Sequence, residues 1–149
     1  MQQKLLNSLQ FDGMDMKRDQ PESQHDILVA EDDEMVRKLI DEILGESYRL
    51  HFAANGASAL EQARTYKPEL VILDIMMPDI NGFEVCRQLR QEEAFKRTII
   101  LILTALSDKD SQKSGINAGA DDYLTKPFNV NQLRSLIQKW GTHIMKDKF

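Results

Sequence analysis

The feature that most constrains the fold is a regular alternation between short apolar runs and longer segments with helical periodicity. Continuous apolar runs occupy residues 27–30, 70–73 and 99–103. Such runs are typical of strands that are buried on both faces of a sheet. Between them, apolar residues recur three and four positions apart, as they do in amphipathic helices. The pattern predicts an α/β protein whose parallel sheet is covered by helices on both faces.

Five strand–helix rounds fit between residue 26 and about residue 140. Weaker strands are predicted at 50–53 and 123–124, and helices at 35–44, 57–67, 82–90, 107–118 and from 129 onward. We interpret Asp33 as the N-cap of the first helix and Gly45 as its end. Asn129 and Gln132 have the spacing of a capping box at the start of the last helix.

The two ends of the chain differ from this repeating unit. Residues 1–25 are polar and of mixed charge, and we interpret them as a tail or linker that could include a short helix. Residues 26–140 form one predicted domain, and 141–149 are interpreted as a C-terminal tail. The 149 residues suffice for one domain with its own core.

Composition excludes several classes of protein. The formal net charge of −5 gives the chain no overall attraction to nucleic acid, so we expect no direct nucleic-acid binding. No apolar run approaches the ~20 residues of a membrane span, so we expect no membrane insertion. Cys86 is the single cysteine and cannot form an internal disulfide, which fits a reducing compartment. We therefore expect a cytoplasmic protein.

Polar side chains stand directly after the predicted strands. Glu31 and Asp32 follow the first strand, Asp74 the third, Thr104 the fourth and Lys126 the fifth. The carboxyl ends of parallel strands share one edge of the sheet, where ligands bind. We expect these side chains to converge at that edge.

Carboxylates crowded at one edge repel each other unless positive charge lies among them. Lys126 supplies one charge, and a hard divalent cation such as Mg²⁺, which prefers oxygen ligands, supplies the rest. A metal held by Asp32 and Asp74 opposite Lys126 would bind a phosphoryl group from two sides. A carboxylate there can act as nucleophile and form an acyl phosphate, and Thr104 could hydrogen-bond a phosphoryl oxygen.

Other reactive side chains have simpler interpretations. Cys86 lies within a predicted helix and is interpreted as a packing residue, and Met76 and Met77 as loop packing, because the surrounding ligands are hard oxygens. No glycine-rich nucleotide-binding motif is present. Three histidines lack metal-ligand spacing: His25, His51 and His143.

Four segments together resemble the receiver domain of two-component response regulators, the chemotaxis-regulator-like family. They are ILVAEDDEMVR, LVILDIMMPDINGFEV, IILILTAL and GADDYLTKPF, and the similarity covers roughly residues 26–139, three-quarters of the chain. The resemblance implies a doubly wound, five-stranded parallel sheet of the (βα)5 flavodoxin-like type, with strand order 2-1-3-4-5.

The resemblance also implies a metal site. Asp74 matches the phospho-accepting aspartate, and Asp32 the acid that ligates Mg²⁺ directly. Glu31, where the family often has Asp, reaches the metal through water, and the backbone carbonyl of Met76 is a further ligand. Arg37, five residues after Asp32, matches a frequent arginine and supports this alignment.

Three further residues match the family's phosphate and switch positions. Lys126 corresponds to the lysine that contacts the phosphate, and the bond to Pro127 is cis in the family. Thr104 corresponds to the switch hydroxyl and Tyr123 to the switch aromatic residue.

The function implied is a phosphorylation switch rather than an enzyme with turnover of other substrates. A sensor histidine kinase, a histidine phosphotransfer protein or a small phosphodonor supplies the phosphoryl group to Asp74. Thr104 then moves toward the phosphate, Tyr123 follows, and the surface of the fourth helix, fifth strand and fifth helix changes. That surface controls an output domain or target protein, and it could form a homodimer. The chain is either a stand-alone receiver or part of a longer regulator, and the N-terminal 25 residues favour the second.

Two other functions fit fewer residues. A magnesium-dependent phosphohydrolase with an aspartyl-phosphate intermediate commonly has a second acid two residues after the nucleophile, where this chain has Met76. A receiver-like binding module that no longer accepts phosphate would not need Asp74, Asp32, Thr104 and Lys126 together. A phosphodonor assay separates the three possibilities.

Overall fold

Strands and helices alternate through residues 25–148, which are the residues described by the computed structural model; side chains are described up to residue 142. The elements are β1 Asp26–Ala30, α1 Glu34–Leu44, β2 Arg49–Ala53, α2 Gly56–Tyr66, β3 Leu70–Leu73, α3 Gly82–Gln91, a 3-10 turn Glu93–Phe95, β4 Ile99–Thr104, α4 Lys109–Ala118, β5 Asp122–Thr125 and α5 Val130–Lys148. The predicted N-terminal tail or linker lies outside the described residues, apart from residue 25.

The five strands form one parallel sheet with the order β2-β1-β3-β4-β5. This arrangement confirms the doubly wound sheet with strand order 2-1-3-4-5. The register pairs Ala30 with Leu73 and Thr104 with Thr125, so the residues that follow each of these pairs emerge side by side at the carboxyl edge.

Successive residues of each strand enter two separate cores on opposite faces of the sheet. In β1, Leu28 packs into a core that includes residues of α2 and α3, whereas Ile27 and Val29 pack into a core that includes residues of α1 and α5. Residues of β3 and β4 divide in the same alternating way. Burial on both faces explains why these strands appear in the sequence as unbroken apolar runs.

An Asp or Asn side chain caps the start of every helix from α1 to α5, and it accepts a hydrogen bond from a backbone amide of the first turn. The capping residues are Asp33, Asn55, Asn81, Asp108 and Asn129. The predicted cap at Asp33 and the capping box at Asn129 are confirmed: the Asn129 and Gln132 side chains each accept from the other's backbone amide at 2.8 Å.

Two helix boundaries differ from the sequence prediction by more than one residue. α4 begins at Lys109 rather than Ser107, because the Asp108 backbone is extended and its side chain caps the helix. α5 continues to Lys148, past the predicted boundary at residue 140, and its sequence keeps apolar residues at the four-residue spacing of Trp140 and Ile144. The limits of the domain itself stay a prediction. None of the described helices combines the length and apolarity needed to cross a bilayer.

Candidate functional site

Three acidic side chains meet where β1 and β3 end. The sheet ladder continues one step past each strand, since the Asp74 amide donates to the Ala30 carbonyl and the Glu31 amide to the Ala53 carbonyl, both at 2.9 Å. Glu31, Asp32 and Asp74 each offer a carboxylate oxygen, and these oxygens lie within 4.8 Å of one another. Glu31 and Asp74 are 1% and 4% exposed, whereas Asp32 faces solvent. The predicted convergence of these residues is present in the structure.

Lys126 extends from the end of β5 into this acidic cluster. Its Nζ lies 2.7 Å from Glu31 Oε1 and donates a hydrogen bond to Asp74 Oδ2 at 3.0 Å. Its backbone amide donates to the Thr104 carbonyl at 2.8 Å, which ties it to the end of β4. The bond between Lys126 and Pro127 is cis, as the family resemblance implies.

Burial and charge shift the ionisation of these groups. Burial raises the pKa of Glu31, the neighbouring Asp74 charge raises it further, and the contact with Lys126 opposes both. For Lys126, burial acts to lower the pKa, but the contacts with Glu31 and Asp74 outweigh it and raise that pKa above the ordinary lysine value. Lys126 therefore stays charged and neutralises part of the cluster.

The donor set fits a hard divalent cation. The three clustered ligand groups are carboxylates, and Asp32 is open to solvent, so an ion bound there could keep water ligands. Among the described residues, Glu31 Oε1 is a fully buried side-chain oxygen without a well-directed hydrogen bond, despite its ion pair with Lys126. Buried polar atoms are ordinarily satisfied, and a metal-bound water would supply the missing donor.

The loop after β3 turns back over Asp74. The Met76 amide donates to Asp74 Oδ1 at 3.2 Å, which places Met76 next to the cluster. Met76 is 59% exposed and does not pack in the core. The interpretation of Met76 as loop packing is therefore wrong for that residue, whereas Met77 is buried in a core.

Thr104 and Tyr123 lie on the neighbouring strands β4 and β5. Thr104 is fully buried at the end of β4, and its hydroxyl is 3.5 Å from the Leu106 amide that donates toward it. Tyr123 packs partly against the core, and its hydroxyl donates to the Leu106 carbonyl. Both side chains therefore contact the backbone of one residue in the loop between β4 and α4.

The remaining reactive side chains lie outside the acidic cluster. Cys86 is fully buried in the core, as predicted for a packing residue, and its Sγ lies 3.4 Å from the Ala118 carbonyl. His25 contacts Glu69 at 2.7 Å and His51 contacts Asp26 at 2.9 Å. Neither histidine belongs to the metal-compatible group of the described residues, and the side chain of His143 is not among those described.

Two contacts at this edge were not foreseen from the sequence. Arg37 donates from Nη1 to the Glu31 carbonyl at 2.7 Å and so attaches α1 to the end of β1. The Asp79 carboxylate accepts hydrogen bonds from the Gly56 and Ala57 amides at the start of α2. Both pairs join residues on different elements, and local spacing carries no signal for such contacts.

A parallel sheet in this order, with three acids and a lysine at its carboxyl edge, defines the class of the protein, and residues 27–138 match the family model described as the response regulator receiver domain. The chain therefore belongs to the receiver domain family of two-component response regulators.

Proteins of similar sequence support this assignment to the family. Response regulator ArlR of Staphylococcus aureus is 37% identical over 113 residues, covering 75% of this chain and 50% of ArlR. The chain thus spans about half the length of the curated relatives it matches.

Among solved structures, chemotaxis protein CheY4 of Vibrio cholerae is 30% identical, with a TM-score of 0.75 over 78% of this chain and 98% of that one. The receiver domain of sensor histidine kinase PA1611 from Pseudomonas aeruginosa PAO1, with a magnesium ion coordinated in its active-site cleft, is 28% identical. Its TM-score is 0.73 over 79% of this chain and 98% of that one.

Proposed function

We propose that the chain accepts a phosphoryl group on Asp74 from a sensor histidine kinase or a histidine phosphotransfer protein, in a reaction that depends on Mg²⁺. The supporting observation is the position of Asp74. Asp74 is 4% exposed, and its carboxylate lies beside those of Glu31 and Asp32 and accepts a hydrogen bond from Lys126. A carboxylate in this environment is oriented as a nucleophile, and its charge is partly compensated.

The chemistry is positioning and charge neutralisation. An oxygen of Asp74 forms the new O–P bond while the N–P bond of the phosphohistidine breaks, and the leaving imidazole takes its proton from solvent. Asp32 and Asp74 would hold Mg²⁺ directly, Glu31 would hold it through water, and the Met76 carbonyl would be a further ligand. The ion would supply positive charge that the phosphoryl oxygens require. Lys126 neutralises the phosphoryl group from the other side.

In this proposal, Thr104 and Tyr123 transmit the conformational change from the phosphorylated site to the surface. Thr104 donates its hydroxyl to a phosphoryl oxygen, which draws the loop around Leu106 toward the site. Because Tyr123 bonds to the Leu106 carbonyl, its ring must respond to movement of that loop. The surface of α4, β5 and α5 then changes, and it controls an output domain or target protein, or pairs with a second copy of the chain.

Several attributes belong to this proposal. The chain catalyses only its own phosphorylation and dephosphorylation, so it is a switch and not an enzyme with turnover. Residues 26–140 form the receiver unit. We propose that it acts in the cytoplasm and that this chain does not bind nucleic acid directly.

The test is labelling by acetyl phosphate, with and without Mg²⁺, and then by candidate histidine kinases. We expect one acid-stable, hydroxylamine-sensitive phosphoryl group on the wild type and none on Asp74→Asn. The matched control is Asp33→Asn, because Asp33 is a nearby acid that caps α1 outside the acidic cluster, and this variant should keep the label. Undiminished labelling of Asp74→Asn, or no labelling of the wild type by any of these donors, contradicts the proposal.

A further inference from the structure

The loop between β3 and α3, residues 75–81, is attached to the start of α2 by the side chain of Asp79. Asp79 Oδ1 accepts from the Gly56 amide at 2.7 Å, and Oδ2 accepts from the Ala57 amide at 2.9 Å. These are the first two amides of α2, which have no partner within the helix. The hydrogen bonds from Ala57 and Gly56 lower the pKa of Asp79, so the carboxylate is charged at neutral pH and favourably placed at the positive end of the helix.

The same loop lies close against the start of α2. A Cβ on residue 56 would lie 2.6 Å from the Ile80 carbonyl oxygen, closer than real Cβ atoms approach, so the backbones can meet only because residue 56 is glycine. Asp79 and Ile80 thus attach the far side of the loop to another helix. Hydrogen bonds also join the two ends of the loop: the amides of Met77 and Gly82 both donate to the Ile75 carbonyl, at 3.1 and 3.0 Å.

This attachment matters because the loop carries Met76, which contacts the acidic cluster. Met76 lies three residues before Asp79, and its amide contacts Asp74 Oδ1. Pro78 lies between them, and its ring restricts the backbone φ angle. The segment from Met76 to Asp79 is therefore short and stiff, so fixing the position of Asp79 also restricts the position of the Met76 backbone.

We infer that Asp79 is a positioning residue for the phosphorylation site: it holds the loop against α2 so that the backbone of Met76 keeps its place beside Asp74. The inference rests on the proposed function, since it assigns Asp79 a part in Mg²⁺ binding and phosphorylation at that site. The Asp79 carboxylate binds the start of α2 and is not part of the acidic cluster. Residues that orient metal ligands without binding the metal commonly affect metal affinity strongly.

The alternative is that Asp79 only caps α2. Asn55 provides the matched control, because it caps the same helix end from the chain preceding the helix: its side chain accepts from the Ser58 amide at 2.8 Å. Asn55→Ala and Asp79→Ala each remove a cap from α2, and both should lower the melting temperature. Only Asp79→Ala also releases the loop that carries Met76.

The experiment measures Mg²⁺ affinity by calorimetry for the wild type, Asp79→Ala, Asp79→Asn and Asn55→Ala. We expect Asp79→Ala to raise the Mg²⁺ dissociation constant about tenfold and to slow labelling by acetyl phosphate. Asp79→Asn keeps one acceptor oxygen and should fall between wild type and Asp79→Ala. Asn55→Ala should bind Mg²⁺ like the wild type. Equal affinity of Asp79→Ala and wild type, or equal weakening by Asn55→Ala, overturns the inference.

A second readout separates this inference from the proposed function. Amide hydrogen exchange of residues 75–81 in the metal-free chain should be faster in Asp79→Ala than in the wild type or Asn55→Ala. If the wild type neither binds Mg²⁺ nor becomes labelled, the proposed function fails while the exchange data still decide whether Asp79 holds the loop. If Asp79→Ala does not fold, Asp79→Asn takes its place in both measurements, and wild-type affinity and exchange in Asp79→Asn overturn the inference.

Discussion

Replacing Lys126 with methionine tests the charge balance of the site most directly. The substitution keeps most of the side-chain volume but removes the cation that lies 3.0 Å from Asp74 Oδ2 and 2.7 Å from Glu31 Oε1. Both carboxylates are almost fully buried, with side chains 5% and 2% exposed. The variant therefore leaves two buried negative charges next to each other without their counter-ion.

The magnitude follows from these distances. A pair of unit charges 3.0 Å apart interacts by about 5–6 kcal/mol at an effective dielectric constant of ~20. Desolvation of Lys126 offsets part of this attraction, and removing one partner of a buried pair costs roughly 3–5 kcal/mol. The Lys126 side chain is 20% exposed, so water can reach the vacated space. We expect a loss of about 3 kcal/mol in the free energy of unfolding without metal.

The assay is urea unfolding of the metal-free protein, with Lys139→Met as the control. Lys139 pairs with Asp122 at 3.1 Å on the surface, with 64% of its side chain exposed, so its loss should cost less than about 1 kcal/mol. Mg²⁺ at about 100 times its dissociation constant should recover roughly 2.7 kcal/mol of the Lys126→Met loss.

The destabilisation should also depend on pH, with a defined sign. Burial already raises the pKa of Glu31, and loss of Lys126 raises it further. A carboxyl group whose pKa is higher in the folded state destabilises the fold at pH values above that pKa, and this penalty disappears as pH falls through it. The gap between variant and wild type should narrow from neutral to mildly acidic pH. A loss no larger than that of Lys139→Met, or a gap that widens on acidification, refutes this account of the site.

Three further predictions follow from the structure. Asp74→Asn should raise the melting temperature of the metal-free chain by roughly 3–4 °C, about 1 kcal/mol, because it removes one charge from the acidic cluster; a lower midpoint in calorimetry would contradict this. Met76→Asn should speed phosphate release from the labelled chain, because an amide can hold the attacking water where a thioether has no donor; unchanged release over time would show that Met76 does not set the lifetime. Cys86, whose pKa burial raises to about 11, should resist a thiol reagent in the native chain and react on unfolding; rapid native modification would be inconsistent with its burial.

The sequence alone determined the features whose causes are local. Strands buried on both faces need unbroken apolar residues, so runs such as 27–30 and 99–103 were recognisable without any knowledge of their neighbours. Helix caps depend on a few consecutive residues, so Asp33 and the pair Asn129 and Gln132 were also predictable. The acidic cluster was predictable because parallel strands bring all their carboxyl ends to one edge.

Tertiary structure decided how those groups meet. The sequence predicted that Lys126 lies at the same edge as the acidic cluster. The pairing of β5 with β4 and the packing of the sheet then bring its Nζ within reach of both Glu31 and Asp74. The contact of Asp79 with Gly56 and Ala57 likewise joins segments 22 or 23 residues apart. Such contacts depend on how helices pack against the sheet, whereas caps and apolar runs depend on neighbouring residues. The local pattern therefore determined which groups lie at the functional edge, and the fold determined which of them hold the others in place.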